Sequence, residues 1–266
     1  MILQLKQRSI ERSIRPSDIL IASYPKSGRS WLSFMISKIL RKDLREEKTL
    51  WDFEQDMFYF NNPRIDQKTL SRLNQLSNPR FFQTHLTSAP SFSRVIYLLR
   101  DPRDVMVSYW HYKRLTEENF NLSLKEFVFS KSQWPCQWQE HVTRWLMDRD
   151  SGANILMIKY EELLEDAGGI LRKVLDFAEL KYEDKDISWV VGESTFDKMK
   201  SMEEEEWKLK GGGPEERFIR RGQAGGWKDE LDLGSLEVIE QRCGDVMEKM
   251  RYPRHANYFV ETNKTC

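Results

Sequence analysis

A chain of 266 residues with 42 basic and 42 acidic side chains is long enough to bury a large core, and with no net charge it has no global field to collect nucleic acid. No apolar run reaches the roughly 18 residues of a membrane-spanning helix, and the first dozen residues lack the apolar block of a signal peptide. The expectation is a cytoplasmic protein, one domain over residues 1–266, with neither membrane nor nucleic acid as partner. Cys136, Cys243 and Cys266 are scattered without metal-ligand spacing, which suits a reducing compartment and predicts no metal.

In chain order, residues 18–23 form a short apolar run of buried-strand type, and residues 31–40 repeat apolar side chains at helical spacing. Between them lies Ser23-Tyr24-Pro25-Lys26-Ser27-Gly28-Arg29-Ser30-Trp31. A loop opening a helix presents free N–H groups and the positive end of the dipole to an anion. Gly28 permits close backbone approach, Ser27 and Ser30 offer hydroxyls, and Lys26 adds a mobile charge. The alternative is a solvated lysine at a helix start. The spacing G-x-x-x-x-G-K-[ST] of a Walker loop is absent.

Three further strands are predicted at Phe81–Thr84, Val95–Leu99 and Ile155–Ile158, separated by helical patterns. Alternation of this kind implies an α/β fold with a parallel sheet covered on both faces, its ligand at the carboxyl ends of the strands. Lys26, His85 and Arg100 all fall at such ends. Asp101 fits an N-cap and Pro102 a first helical position, with Arg103 an exposed helix charge. Residues 203–216, acidic and then glycine-rich, read as a mobile loop, either a solvated acidic helix end followed by a flexible connection or a lid over the site. Arg220 and Arg221, followed by glycines, combine guanidinium forks with bare amides, a combination suited to a phosphate monoester. Among the histidines, His85 ends a strand where the sheet opens, and an imidazole titrates near the working pH. Trp138, His141, Val142 and Trp145 share one helix face and pack a core, while His111 and His255 are structural.

Taken together, Tyr24–Trp31, the step from Arg100 to Ser108, and Arg220–Lys228 resemble, in the same order, the motifs of the sulfotransferases that use 3′-phosphoadenosine 5′-phosphosulfate, in their cytosolic branch. The resemblance runs from about residue 18 to residue 228 and implies that family's single α/β domain with its phosphate-binding strand-loop-helix. It implies further that Pro25, Lys26, Ser27, Gly28, Arg29, Ser30 and Trp31 hold the 5′-phosphosulfate, with Lys26 on the oxygen bridging phosphate and sulfate. Arg100, Ser108, Arg220, Arg221 and Gly222 match residues that bind the 3′-phosphate. Trp31, Tyr160, Ser194, Thr195 and Phe196 match the adenine site. The family's Lys-Thr-His-Leu-Pro appears as Gln83-Thr84-His85-Leu86-Thr87, which makes His85 the base, acting with Lys26 and Ser108, and replaces a lysine by Gln83. Arg221 stands for a second lysine and Gly226 for an aspartate. Gln83 and His141 match acceptor-pocket positions, and residues 51–63 match a wall of that pocket, where Asp52, Glu54 and Asp56 would hold a cationic or polar molecule or else form a solvated face. The implied reaction moves a sulfuryl group in line to a hydroxyl or amine of a small molecule, without metal, leaving adenosine 3′,5′-bisphosphate. Two alternatives are a nucleotide-binding protein without catalysis, suggested by Gln83 and Gly226, and a nucleoside-type kinase, which the missing Walker pair opposes. The family's dimer contact has no counterpart here, so the oligomeric state stays open.

Overall fold

Five runs pair as parallel strands: β1 Ile19–Ser23, β2 Met57–Tyr59, β3 Phe81–Thr84, β4 Arg94–Leu99 and β5 Asn154–Lys159. The computed structural model describes residues 11–41, 57–60, 71, 73, 78–131, 133–148, 152–209 and 219–255. The sheet order is β2-β3-β1-β4-β5, with Ile21 opposite Gln83 on one side and Ile96 on the other. Every residue of β1 is buried, as a central parallel strand flanked on both faces must be.

Alternation along β1 divides the core. Ile19 and Ile21 face a layer containing Leu32, Met35 and Ile36 of helix α1 (Arg29–Leu40), together with helices α6 (Ala167–Phe177) and α7 (Asp184–Glu193). Leu20 and Ala22 face the opposite layer, where Val105, Trp138, Val142 and Met247 pack. Those side chains belong to α2 (Pro102–Thr116), α4 (Trp138–Leu146) and α9 (Leu233–Lys249), with α3 (Leu124–Phe129) beside them. Asp101 caps α2 through its carboxylate on the Arg103 N–H, and Pro102 takes the first turn. After β5 come α5 (Tyr160–Glu165) and, beyond α7, α8 (Phe196–Leu209). Among the described residues no helix is long and apolar enough to cross a membrane.

The expected strands stand within a residue of their predicted ends, and β2 is an addition. Two expectations are corrected. Residues 203–209 are the acidic helix end of one reading, the last turns of α8, but that end is not simply solvated, because Glu203 is wholly buried and its carboxylate accepts from the Ile219 N–H at 2.9 Å; residues 210–216 lie outside the described residues. Arg103 is not exposed. It is completely buried, bound to Asp101, to Glu240 at 3.1 Å and over the Trp227 ring at 4.4 Å. Of the predicted acceptor wall, residues 51–56 and 61–63 lie outside the described residues, and 57–60 hold β2.

Candidate active site

The strand order reverses at β1, whose neighbours β3 and β4 carry the chain away in opposite directions, and a crevice opens there at the carboxyl ends. A cavity of about 1210 Å³ fills it, larger than a single drug-sized ligand needs.

Its floor is the turn after β1. Lys26 (φ 67°) and Gly28 (φ 92°) both take the left-handed conformation, and no side chain caps the helix that begins at Arg29. Glycine is required at 28 because a Cβ there would stand 2.5 Å from the Tyr160 ring. Pro25, Lys26, Gly28, Arg29, Ser30 and Trp31 line the cavity. Ser27 lies just beneath, its hydroxyl buried without a hydrogen-bond partner among the described residues. The Lys26 ammonium sits 4.7 Å over the Tyr112 ring. Burial, with help from the Arg100 and Arg220 charges, lowers its pKa to about 7.

His85 follows β3 on the cavity wall. Its Nδ1 lies 2.6 Å from the Ser23 carbonyl, which can only accept, so Nδ1 carries the proton and Nε2 is left as the basic nitrogen. Burial and the Arg29 guanidinium hold the ring's pKa well below the ordinary histidine value. Trp134 meets it edge-on at 5.8 Å. Behind the wall, His141 is completely buried. Its Nε2 donates to the His85 carbonyl at 3.1 Å and its Nδ1 accepts from the Tyr97 hydroxyl at 2.8 Å, while the Trp145 indole N–H donates to the Leu86 carbonyl at 2.9 Å. His141 therefore supports the wall from outside the cavity. Gln83 is likewise completely buried and does not line it.

Across the crevice, Arg100 at the end of β4 donates to the Lys26 carbonyl at 2.9 Å and the Gln223 carbonyl at 3.2 Å, with its guanidinium 4.2 Å over Tyr160. Its Nε is buried without a hydrogen-bond partner among the described residues. Ser108, two turns into α2, shares this wall with Arg220, Arg221 and Gly222. Arg220 pairs with Glu230 at 2.6 Å, and Arg221 with Asp229 at 2.9 Å and Glu230 at 3.5 Å. His111 holds the other Glu230 oxygen at 2.6 Å, so it belongs to this network. Gly222 (φ 58°) has no room for a side chain, since a Cβ would meet the Phe196 ring at 2.1 Å. With Gly226 in place of an aspartate, the local loop is held by Asp104, which accepts from the Gly225 and Trp227 N–H groups at 2.7 and 3.0 Å. The remaining rim is aromatic. Trp31 donates to the Ser194 carbonyl at 2.8 Å and meets Tyr160 edge-on, and Ser194, Thr195 and Phe196 line the cavity beside them.

Tyr59 lines the cavity from within the predicted wall 51–63, whereas Tyr112 and Trp134 on this lining were missed by sequence reasoning. Tyr112 was accessible to it: it sits four residues after Ser108, on the same face of α2. Trp134 carries no local signal.

Sheet order, an uncapped helix start and converging basic groups define an α/β protein built to hold anions beside a neutral imidazole. The model of the sulfotransferase domain matches residues 16–251. Sulfotransferase 2A6 of Rattus norvegicus is 30% identical over 253 residues, covering 86% of this chain and 84% of that protein. Cytosolic sulfotransferase 12 of Arabidopsis thaliana is 25% identical over 255 residues, 85% of this chain and 76% of that one. Among solved structures, retinol dehydratase in complex with androsterone and the inactive cofactor PAP superposes with a TM-score of 0.68 at 23% identity, over 92% of this chain and 85% of that one, a likeness of fold. The chain belongs to the sulfotransferase domain family, and its reaction class is sulfuryl transfer.

Proposed function

We propose that the chain takes a sulfuryl group from 3′-phosphoadenosine 5′-phosphosulfate and passes it to a hydroxyl or amine of a small molecule, releasing adenosine 3′,5′-bisphosphate, in the cytoplasm and without a metal. The observation that carries this reading is one cavity in which Lys26, the basic nitrogen of His85 and the Arg100–Arg220 cluster all converge. The donor's two anionic ends fit what is present: at one end the Ser27 hydroxyl and the Gly28 turn, at the other the Arg100 Nε and the Gly222 turn, both polar atoms buried and without a hydrogen-bond partner among the described residues. Pro25 to Trp31 would hold the phosphosulfate; Arg100, Ser108, Arg220, Arg221 and Gly222 the 3′-phosphate; Trp31, Tyr160 and Ser194 to Phe196 the adenine.

The donor supplies an activated sulfur. His85 is neutral at working pH and receives the acceptor's proton on Nε2. Lys26 gains its full charge against the leaving phosphate oxygen, and Ser108 and the arginines fix the nucleotide so that attack is in line. A small acceptor agrees with the androsterone bound by the retinol dehydratase relative, and the cytoplasm with the relative named cytosolic. The test is mass spectrometry of sulfonated products after the protein and donor are mixed with a small-molecule extract, with His85→Ala as control. A product made by the wild type and reduced about 10²–10⁴-fold in the variant is expected. No product from a protein that still binds the bisphosphate would overturn turnover in favour of binding alone.

A further inference from the structure

Arg220, Arg221 and Gly222, assigned above to the donor's 3′-phosphate, lie with Ile219 in a stretch that is neither strand nor helix. No ladder sets where this stretch runs, so its place depends on what holds it from the side. Asp104 of α2 holds the far end, through the Gly225 and Trp227 N–H groups. Glu230 and Asp229 hold the arginine heads, but both acids follow in the same segment of chain.

The near end is held by α8. Phe196, Met199 and Glu203 stand at i, i+3 and i+7, one face of that helix. Phe196 packs on Gly222 so closely that a Cβ has no room, and Ile219 packs against the cluster of Phe34 and Met199. The third position of this face carries a carboxylate. Glu203 is wholly buried, with one oxygen accepting from the Ile219 N–H at 2.9 Å and the other from the Trp207 indole N–H at 3.4 Å. Apolar packing is non-directional, whereas a hydrogen bond to an ionised oxygen fixes both distance and direction. This one grips the main chain itself, one residue before Arg220. The same helix opens at the other subsite, since Ser194, Thr195 and Phe196 line the cavity around its first turn. Glu203 does not line the cavity, so it acts through the residue it holds. Its charge still reaches the floor, where it raises the Lys26 pKa against the lowering by burial, Arg100 and Arg220.

We propose that Glu203 is a positioning residue for the donor: by holding the Ile219 N–H it sets Arg220, Arg221 and Gly222 at the spacing a 3′-phosphate needs from an adenine seated against α8. The protein thereby selects nucleotides that carry that phosphate. The proposal rests on the nucleotide assignment above.

The test is calorimetric binding of adenosine 3′,5′-bisphosphate and of adenosine 5′-monophosphate to wild type, Glu203→Leu and Glu203→Gln. The two ligands share the adenine and the 5′-phosphate, so any effect of the substitution on Lys26 cancels in the ratio of their affinities. Glu203→Leu should weaken the bisphosphate about tenfold and leave the monophosphate within about twofold. Glu203→Gln keeps an oxygen for the Ile219 N–H and should stay within about threefold of the wild-type preference. Thermal melting confirms that each variant is folded. Equal losses of both ligands in Glu203→Leu would reduce the residue to a structural one and overturn the proposal. A wild-type preference in that variant, or a glutamine variant no better than leucine, would overturn it too. If Glu203→Leu does not fold, hydrogen exchange in the wild type decides: the Ile219 amide should exchange at least about tenfold more slowly than in an unstructured peptide, and exchange at the peptide rate would sink the idea. A wild type that binds both ligands equally would instead bring down the assignment of the 3′-phosphate site.

Discussion

The two ends of the cavity are built on opposite electrostatic plans. At the Lys26 end, charge is held back: burial lowers the lysine's pKa to about 7, and Ser27 has a buried hydroxyl without a hydrogen-bond partner among the described residues. At the Arg220 end, the cations are already matched, Arg220 and Arg221 by Glu230 and Asp229. Arg100 touches both ends, through the Lys26 and Gln223 carbonyls. On the proposed function, the first end would change its charge state when an anion arrives. The second is pre-organised, and a phosphate entering it must share arginines with resident carboxylates. Catalysis needs the first plan, because stabilisation has to grow as the reaction proceeds. Anchoring suits the second, because its geometry is set in advance.

Three measurements sharpen or break this contrast. The largest effect is expected from Gly222→Ala, which places a Cβ against Phe196 at a positive φ. Bisphosphate affinity should drop by about thirtyfold and the melting temperature should fall, equivalent to about 2 kcal/mol. Normal values for both would mean the anchoring end is pliable. Next is the pH dependence of the Lys26 end. The free lysine titrates at about 7, and an anion beside it raises that pKa. Binding above pH 7 therefore takes up a proton, and affinity should weaken by up to about tenfold per pH unit as pH rises. Calorimetry in buffers of different ionisation enthalpy reads the proton directly, and a count of zero at pH 8 would remove the poised charge. The smallest change is Glu230→Gln. Releasing Arg220 from its carboxylate should tighten bisphosphate binding about two- to fivefold at low salt, an advantage that fades as salt is raised. Weaker binding would mean that Glu230 positions Arg220 and does not compete for it.

What could be read from the sequence depended on the range of the forces involved. Residues 81–84 were legible to the residue because β-branching and apolar runs act locally. The motif residues converge because a parallel sheet brings strand ends to one edge whatever the helices do. Arg103 misled because its burial comes from Trp227 and Glu240, more than a hundred positions away. His141 sits on a core-packing face, as its spacing indicated, and that same spacing hid a hydrogen bond to the His85 backbone. An acidic helix end was legible in residues 203–216, but the burial of Glu203 under Ile219 was not, because that contact comes from sixteen residues further on. Nothing local marks Tyr59 as the partner of Arg29; that contact exists only once β2 joins the sheet.

The carbonyls of His85 and Leu86 are satisfied by rings from α4, His141 and Trp145, with Tyr97 completing the relay from the sheet. None of these three side chains lines the cavity. Substitution at any of them would thus reach the His85 backbone from outside the cavity, through lost core packing and a released carbonyl together. A screen that scored only proximity to the cavity would pass such a substitution as harmless.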